Sequence, residues 1–149
     1  MEINSPVSGL LGQKGSDVWS IAPETIVYDA IQMMADKNVG ALPVMRGTEV
    51  LGMFSERDYT RKIVLKGRSS KETSIGEVMS SPPLTVSPGD SVDRCMRLMT
   101  QNRVRHLPVV QDGRLVGIIS IGDLVNWIIS VQTAAIAQLE QYIHGGYSS

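Results

Sequence analysis

Two tetrapeptides of one form, Ser55-Glu56-Arg57-Asp58 and Ser120-Ile121-Gly122-Asp123, stand 65 positions apart in this chain. Each follows a glycine and two apolar residues, Gly52-Met53-Phe54 in the first copy and Gly117-Ile118-Ile119 in the second. Such a run reads as a strand opening into a helix, with Ser at the N-cap and Asp three positions on, in a capping-box-like arrangement. Capping alone is reason enough for the pair. The same geometry has a second use, because amides, a hydroxyl and a carboxylate converge where the helix begins. A helix N-terminus attracts phosphate, and a carboxylate there can accept hydrogen bonds from a ribose diol. An Asp has lone pairs for both tasks. No set of nucleophile, base and orienting group is evident in the sequence, so the motif reads as binding rather than catalysis, and no enzyme is expected.

The offset that relates the two motifs extends along most of the chain. It lays Pro23 on Pro88, Val27 on Val92, Met34 on Met99, and Val39 on Val104. It continues without a gap through Leu42/Leu107, Pro43/Pro108 and Val44/Val109. Each copy must bury its apolar face against its twin, and two copies make a pseudo-symmetric pair rather than a solenoid. Each repeat reads as strand, helix, strand, strand, helix. The first helices carry matching stripes, Val27, Ala30, Ile31 and Met34 against Val92, Cys95, Met96 and Met99, at helical spacing. Thr25 and Asp90 stand at the expected N-caps. Asp112-Gly113 between apolar runs predicts a two-residue hairpin, and Arg46-Gly47-Thr48-Glu49 is its counterpart. Pro43 and Pro108 belong at strand starts or edges.

The expected division is an N-terminal segment over 1–17, a first motif over 18–65, and a polar linker over 66–82. A second motif covers 83–130, and a helix with its tail covers 131–149. The last helix is predicted to run from near Ser120 to about His144, ended by Gly145-Gly146. Its stripe of Leu124, Ile128, Val131, Ala135, Leu139 and Tyr142 extends past the repeat and needs a surface, most economically a second subunit.

Composition narrows the class. A 42% apolar and 19% charged chain of 149 residues suits one globular unit, and a formal charge of −1 gives no pull toward nucleic acid or anionic lipid. No run of about 18 apolar residues predicts a membrane span, and residues 1–17 do not read as a signal peptide. The single cysteine, Cys95, fits a reducing, cytoplasmic setting and reads as a core residue. Arg57, Arg61, Lys62, Lys66, Arg68 and Lys71 read as a solvated helix face, or as a means of phosphate capture. Only Tyr59 interleaves them, which argues against nucleic acid. His106 and His144 have no Cys/His cluster, so no metal is expected.

The repeat, the strands Ala41-Leu42-Pro43-Val44 and His106-Leu107-Pro108-Val109, and the two Gly-x-x-Ser-x-x-Asp endings resemble a cystathionine β-synthase (CBS) domain pair, or Bateman module. The resemblance covers roughly Val18 to Val125. The stretches from Ser55 to Tyr59, Gly67 to Lys71, and Tyr142 to Tyr147 resemble stand-alone CBS-pair proteins of bacteria and plant organelles. It implies an α/β fold, a pseudo-twofold pair of β-α-β-β-α motifs with a C-terminal helical extension, residues 17–130 forming one module. It also implies a regulatory sensor that binds an adenosyl ligand between the repeats, AMP first, then NAD(H) or ATP/ADP. A homodimer packed as a flat disc and a regulated partner protein would follow. By the same resemblance, one cleft seats adenine against Ser20, Ile21, Gly40, Ala41 and Leu42, with Ser120, Gly122 and Asp123 at the ribose. The other sets Thr85, Val86, Arg105 and His106 beside Ser55, Arg57, Asp58 and Arg61. Gly40 and Ala41 leave room for a base where Arg105 and His106 fill it, so the Asp123 cleft is the expected nucleoside site. The rival readings are a ligand-independent adaptor and, further off, a nucleotide-processing enzyme.

Overall fold

The computed structural model describes residues 4–15 and 17–147, with side chains through Ile143. Residues 1–3 and 148–149 of the terminal segments, and the His144 side chain, lie outside the described set. The chain order is α1 (Val7–Lys14), α2 (Val27–Lys37), β1 (Ala41–Arg46), β2 (Glu49–Ser55) and α3 (Glu56–Asp58). A π-helical turn over Tyr59–Val64 continues α3. Then come α4 (Ile75–Val78), α5 (Val92–Asn102), β3 (His106–Gln111), β4 (Arg114–Ser120) and α6 (Ile121–Tyr147).

Both hairpins form in matching register, Val44 opposite Gly52 and Val109 opposite Gly117, with an irregularity just after each pair. Asp112 and Gly113 both have positive φ, 52° and 76°, as a primed two-residue turn requires. The expected first strand of each repeat shrinks to one parallel bridge, Ile21 to Val44 and Val86 to Val109. Ile21 donates to the Pro43 carbonyl and accepts from the Met45 amide. The next donor in a parallel ladder is two residues on, and Pro23 and Pro88 stand there without an N–H. Pro43 and Pro108 occupy the third place of their strands, on the side that faces this short bridge.

Each repeat has its own core. Val27, Ala30 and Met34 bury with Leu42, Val44 and Phe54, while Val92, Cys95 and Met99 bury with Leu107, Val109 and Ile119. Burial pushes the Cys95 thiol up to about 11, as a core cysteine demands. The caps fall one residue later than expected. Helices α2 and α5 start after Ile26 and Ser91, and the Ser91 hydroxyl accepts from the Arg94 amide. Ile26 has no capping atom, so the first amides of α2 donate to the carbonyls of Thr73 and Ser70. Asp90 instead accepts from the Ser87 amide at 2.7 Å.

The segments that read as connections are structural parts of the fold, and each packs on the opposite repeat. Val7 and Leu10 of α1 complete the core of the second repeat, and Ile75 and Val78 of α4 complete that of the first. The backbone stitches match. Val7 donates to Asp90 and Ser8 to Pro88, as Ile75 donates to Thr25 and Gly76 to Pro23. These partners, Val7 and Ile75, are 68 positions apart, so the exchanged segments repeat on a shifted offset.

Helix α6 spans 27 residues and passes through Gly145-Gly146, where the sequence reading had it end. Two glycines cost a propagating helix about 1 kcal/mol each relative to alanine, which weakens it without forcing it to end. The predicted stripe divides. Leu124 is buried, Ile128 and Val131 pack on the second core, and Ala135, Leu139 and Tyr142 are exposed.

Candidate functional site

The two Ser-x-x-Asp motifs form as capping boxes at the strand-to-helix corners. The Ser55 amide donates to Asp58 Oδ2 at 2.9 Å, and the Ser120 amide donates to Asp123 Oδ2 at 2.8 Å. The Asp58 and Asp123 amides return bonds to Ser55 and Ser120 Oγ at 3.2 and 3.0 Å. Capping thus uses one oxygen of each carboxylate. What the other oxygen does separates the two sites.

At Asp58 both oxygens are used. Oδ2 also accepts from Ser55 Oγ at 3.1 Å, while Oδ1 accepts from Ser80 Oγ at 2.8 Å and faces Lys62 Nζ at 3.2 Å. Ser80 comes from the segment after α4, and Lys62 comes from the π-helical turn, one turn beyond the Asp. The residue is buried. At Asp123 the position equivalent to Lys62 is Trp127. The cation comes instead from α1, 109 residues away, where Lys14 Nζ lies 2.5 Å from Asp123 Oδ2 and 2.6 Å from the Ile118 carbonyl. Among the described residues Asp123 Oδ1 accepts no hydrogen bond. Burial pushes the Asp123 carboxyl up, but Lys14 and Ser120 more than offset this and hold it below its usual range.

Gly40 and His106, assigned by sequence to different clefts, meet. A Cβ on Gly40 would stand 3.3 Å from His106 Cε1. Ala41 and His106 are equivalent positions of the two repeats, and the larger side chain occupies the room that Gly40 leaves. The space read as a base pocket therefore holds an imidazole. Burial holds that imidazole below its ordinary value, Lys14 and Arg105 add to the effect, and Asp123 opposes it. The charged groups that act on His106 thus include the Lys14–Asp123 pair.

The remaining expected site residues sort by burial. Ile21, Ala41, Leu42 and Val86 are core residues, so they wall a cleft from behind or present backbone only. Ser20, Thr85, Arg105 and Gly122 are exposed. Arg57 donates to the carbonyl of Arg103 at 2.7 Å and so ties the two repeats together. Arg61 is exposed on the π-helical turn. Within the basic run, Lys62 pairs with Asp58, Arg68 with Glu77, and Lys71 lies over the Tyr28 ring. Structural pairing thus accounts for much of that run.

Lys14 was missed by sequence reading. Its signal was faint: Val7, Leu10 and Leu11 repeat the spacing of Ile75, Val78 and Met79, on the shifted offset. Two concavities lie near the second repeat. One of about 540 Å³ is lined by Asp93, Met96, Arg97 and Thr100 of α5 with Ile128 and Gln132 of α6. Another of about 190 Å³ lies between α1 and α6, beside Lys14, Asp123 and Trp127. Among the described residues no three His, Cys, Asp or Glu side chains converge as a metal needs.

Residues 15–65 and 75–130 each match the CBS domain. The chain belongs to the CBS domain family. It is similar to a mitochondrial CBS domain-containing protein of Arabidopsis thaliana, 44% identical over 89% of this chain and 66% of that protein. A CBS domain-containing protein of Bacillus subtilis is 33% identical over 82% of this chain and 86% of that one. The solved structure of a CBS-domain protein of Burkholderia ambifaria MC40-6 superposes with TM-score 0.81 at 45% identity, covering 85% of this chain and 95% of that chain. The α/β pair of CBS motifs with its C-terminal helix is thereby shown. Among the described residues no helix is long and apolar enough to cross a membrane. The Arabidopsis relative is mitochondrial, so it lends no support to a cytoplasmic setting.

Proposed function

We propose that this CBS pair is a regulatory sensor for an adenosyl ligand, with AMP foremost and NAD(H) or ATP/ADP as relatives sharing the adenosine half. The observation that carries this reading is the Asp123 carboxylate. It caps its helix through one oxygen, keeps the other without a partner among the described residues, and is partly open to solvent. That is the acceptor a ribose diol needs. Binding would require the His106 ring to move off Gly40, and that motion is a source of differential shape for a partner protein to read. A ligand at about 100 times its dissociation constant stabilises the fold by roughly 2.7 kcal/mol. The melting temperature should therefore rise with AMP and not with CMP. Equal shifts with the two would remove the base-pocket argument.

The filling of that pocket by His106 favours a second reading, a ligand-independent adaptor whose clefts are vestigial. A melting temperature flat across AMP, NAD(H), ATP and ADP would select it. Catalysis has no support from either motif. The long helix supports a homodimer under both readings, since Ile136, Leu139 and Tyr142 are exposed on it. Removing 132–149 should lower the oligomeric state by light scattering. A truncated chain that stays dimeric at low micromolar concentration would place the interface elsewhere. The lone, buried Cys95 supports a reducing compartment, for which the cytosol is our first choice.

A further inference from the structure

We propose that Lys14 is an intramolecular competitor for the Asp123 site, so that a diol ligand enters by lifting the last turn of α1; this rests on the nucleotide reading above. Lys14 Nζ donates to two acceptors at once, Asp123 Oδ2 and the Ile118 carbonyl. A ligand with two adjacent hydroxyl donors takes both oxygens of one carboxylate; Oδ1 is open, and the ammonium holds Oδ2.

The helix that bears the lysine is built to release it. Its hold on the fold is at the N-terminal half, where Val7 and Leu10 are buried and Val7 and Ser8 donate to the chain before α5. The C-terminal turn, Gly12-Gln13-Lys14, is exposed and ends at Gly15 with φ 96°. Glycine tolerates that conformation and weakens the helix around it. The seam beneath is loosely filled. The concavity of about 190 Å³ lies there, and the buried Trp127 Nε1 on its wall has no hydrogen-bond partner among the described residues. The residues of that turn, Gly12 to Lys14, are not themselves core residues, whereas Leu10 and Leu11 before it pack on the second core. The Asp58 site has no such device, because Lys62 belongs to the same helical stretch as the Asp and Ser80 adds a second internal donor.

The test is calorimetry of AMP and of adenosine with wild type, Lys14→Met, Lys14→Arg and Asp123→Asn, each checked for folding by circular dichroism. A partly exposed ion pair is weak, so Lys14→Met should bind both ligands about two- to fivefold tighter. Lys14→Arg keeps the competitor and should bind no tighter than wild type. Hydrogen exchange at Gln13 to Gly15 should quicken when AMP binds wild type. Equal affinity of wild type and Lys14→Met, with binding lost in Asp123→Asn, would overturn the latch and leave the nucleotide reading standing. Weaker AMP with unchanged adenosine in Lys14→Met would make the lysine a phosphate contact and also overturn the latch. No binding by any of the four would overturn the nucleotide reading and the latch together.

Discussion

Asp58 and Asp123 begin from the same local chemistry and end in different states. Both are held by a serine two strands' length into a hairpin, at the start of a helix. In the first repeat the helix supplies a lysine one turn later and the α4 segment supplies a serine. In the second, the equivalent of Lys62 is Trp127, and neither donor is available in place. The carboxylate is then served from α1 by a lysine that donates two hydrogen bonds among the described residues. A site neutralised by its own helix is closed, whereas a site neutralised by a movable segment can be opened. A near-symmetric fold thus yields one carboxylate closed by its own helix and one held from a distant segment, the one we propose for the ligand.

The largest expected effect comes from removing each charge in turn. Asp123→Asn keeps size and capping capacity but should cost AMP binding about 1.5–3 kcal/mol, on the scale for hydrogen bonds to charged groups. Asp58→Asn should cost AMP binding far less. Calorimetry at fixed salt measures both, and loss of binding in Asp58→Asn alone would invert the comparison.

The exchanged segments offer a second contrast, in stability. A Cβ on Gly52 would meet the Ser80 carbonyl oxygen at 2.6 Å, and one on Gly117 would meet Leu11 Cδ2 at 2.7 Å. The distances are alike but the obstacles differ, since a leucine tip can rotate and a backbone carbonyl cannot. Gly52→Ala should therefore destabilise by about 2 kcal/mol and Gly117→Ala by under about 1 kcal/mol. Urea unfolding of the two variants would show it, and equal costs would mean that α1 is held as rigidly as the α4 segment.

The smallest expected effect is a pH dependence confined to the second site. His106 has a folded value below its unfolded one, because burial, Lys14 and Arg105 disfavour its charge. The unfolded chain then binds more protons as pH falls below the ordinary histidine range, so native stability falls with it. Wild type should lose melting temperature more steeply than His106→Gln between about pH 7 and 5.5. Parallel curves would take the imidazole out of the buried contact with Gly40.

Much of this architecture was legible in particular residues. The stripes Val27-Ala30-Met34 and Val92-Cys95-Met99, the Asp112-Gly113 turn and both Ser-x-x-Asp caps depend on interactions within a few positions. Periodicity and turn chemistry report such interactions directly. The family resemblance followed from the same short-range patterns, repeated at one offset. The first strands were over-read because Pro23 and Pro88 remove the next ladder donor, a loss that matters only once Ile21 is known to pair with Val44. The α5 cap slipped by one residue because Ser91, adjacent to Asp90, offered an equivalent oxygen nearer the helix, whereas α2 starts after Ile26 because the Thr73 and Ser70 carbonyls take its first amides.

What the sequence determined by itself, then, is the pair of motifs and the carboxylate at each corner. Lys62 against Trp127 is written in the sequence, but which distant segment serves each carboxylate was decided by the tertiary structure. Lys14 reaches Asp123 across 109 positions, and His106 fills the room beside Gly40 only because the repeats face each other. Neither contact leaves a local pattern, since each arises where two segments distant in the chain are brought together by the burial of apolar faces elsewhere: Val7 and Leu10 for the lysine, and the paired hairpins for the histidine.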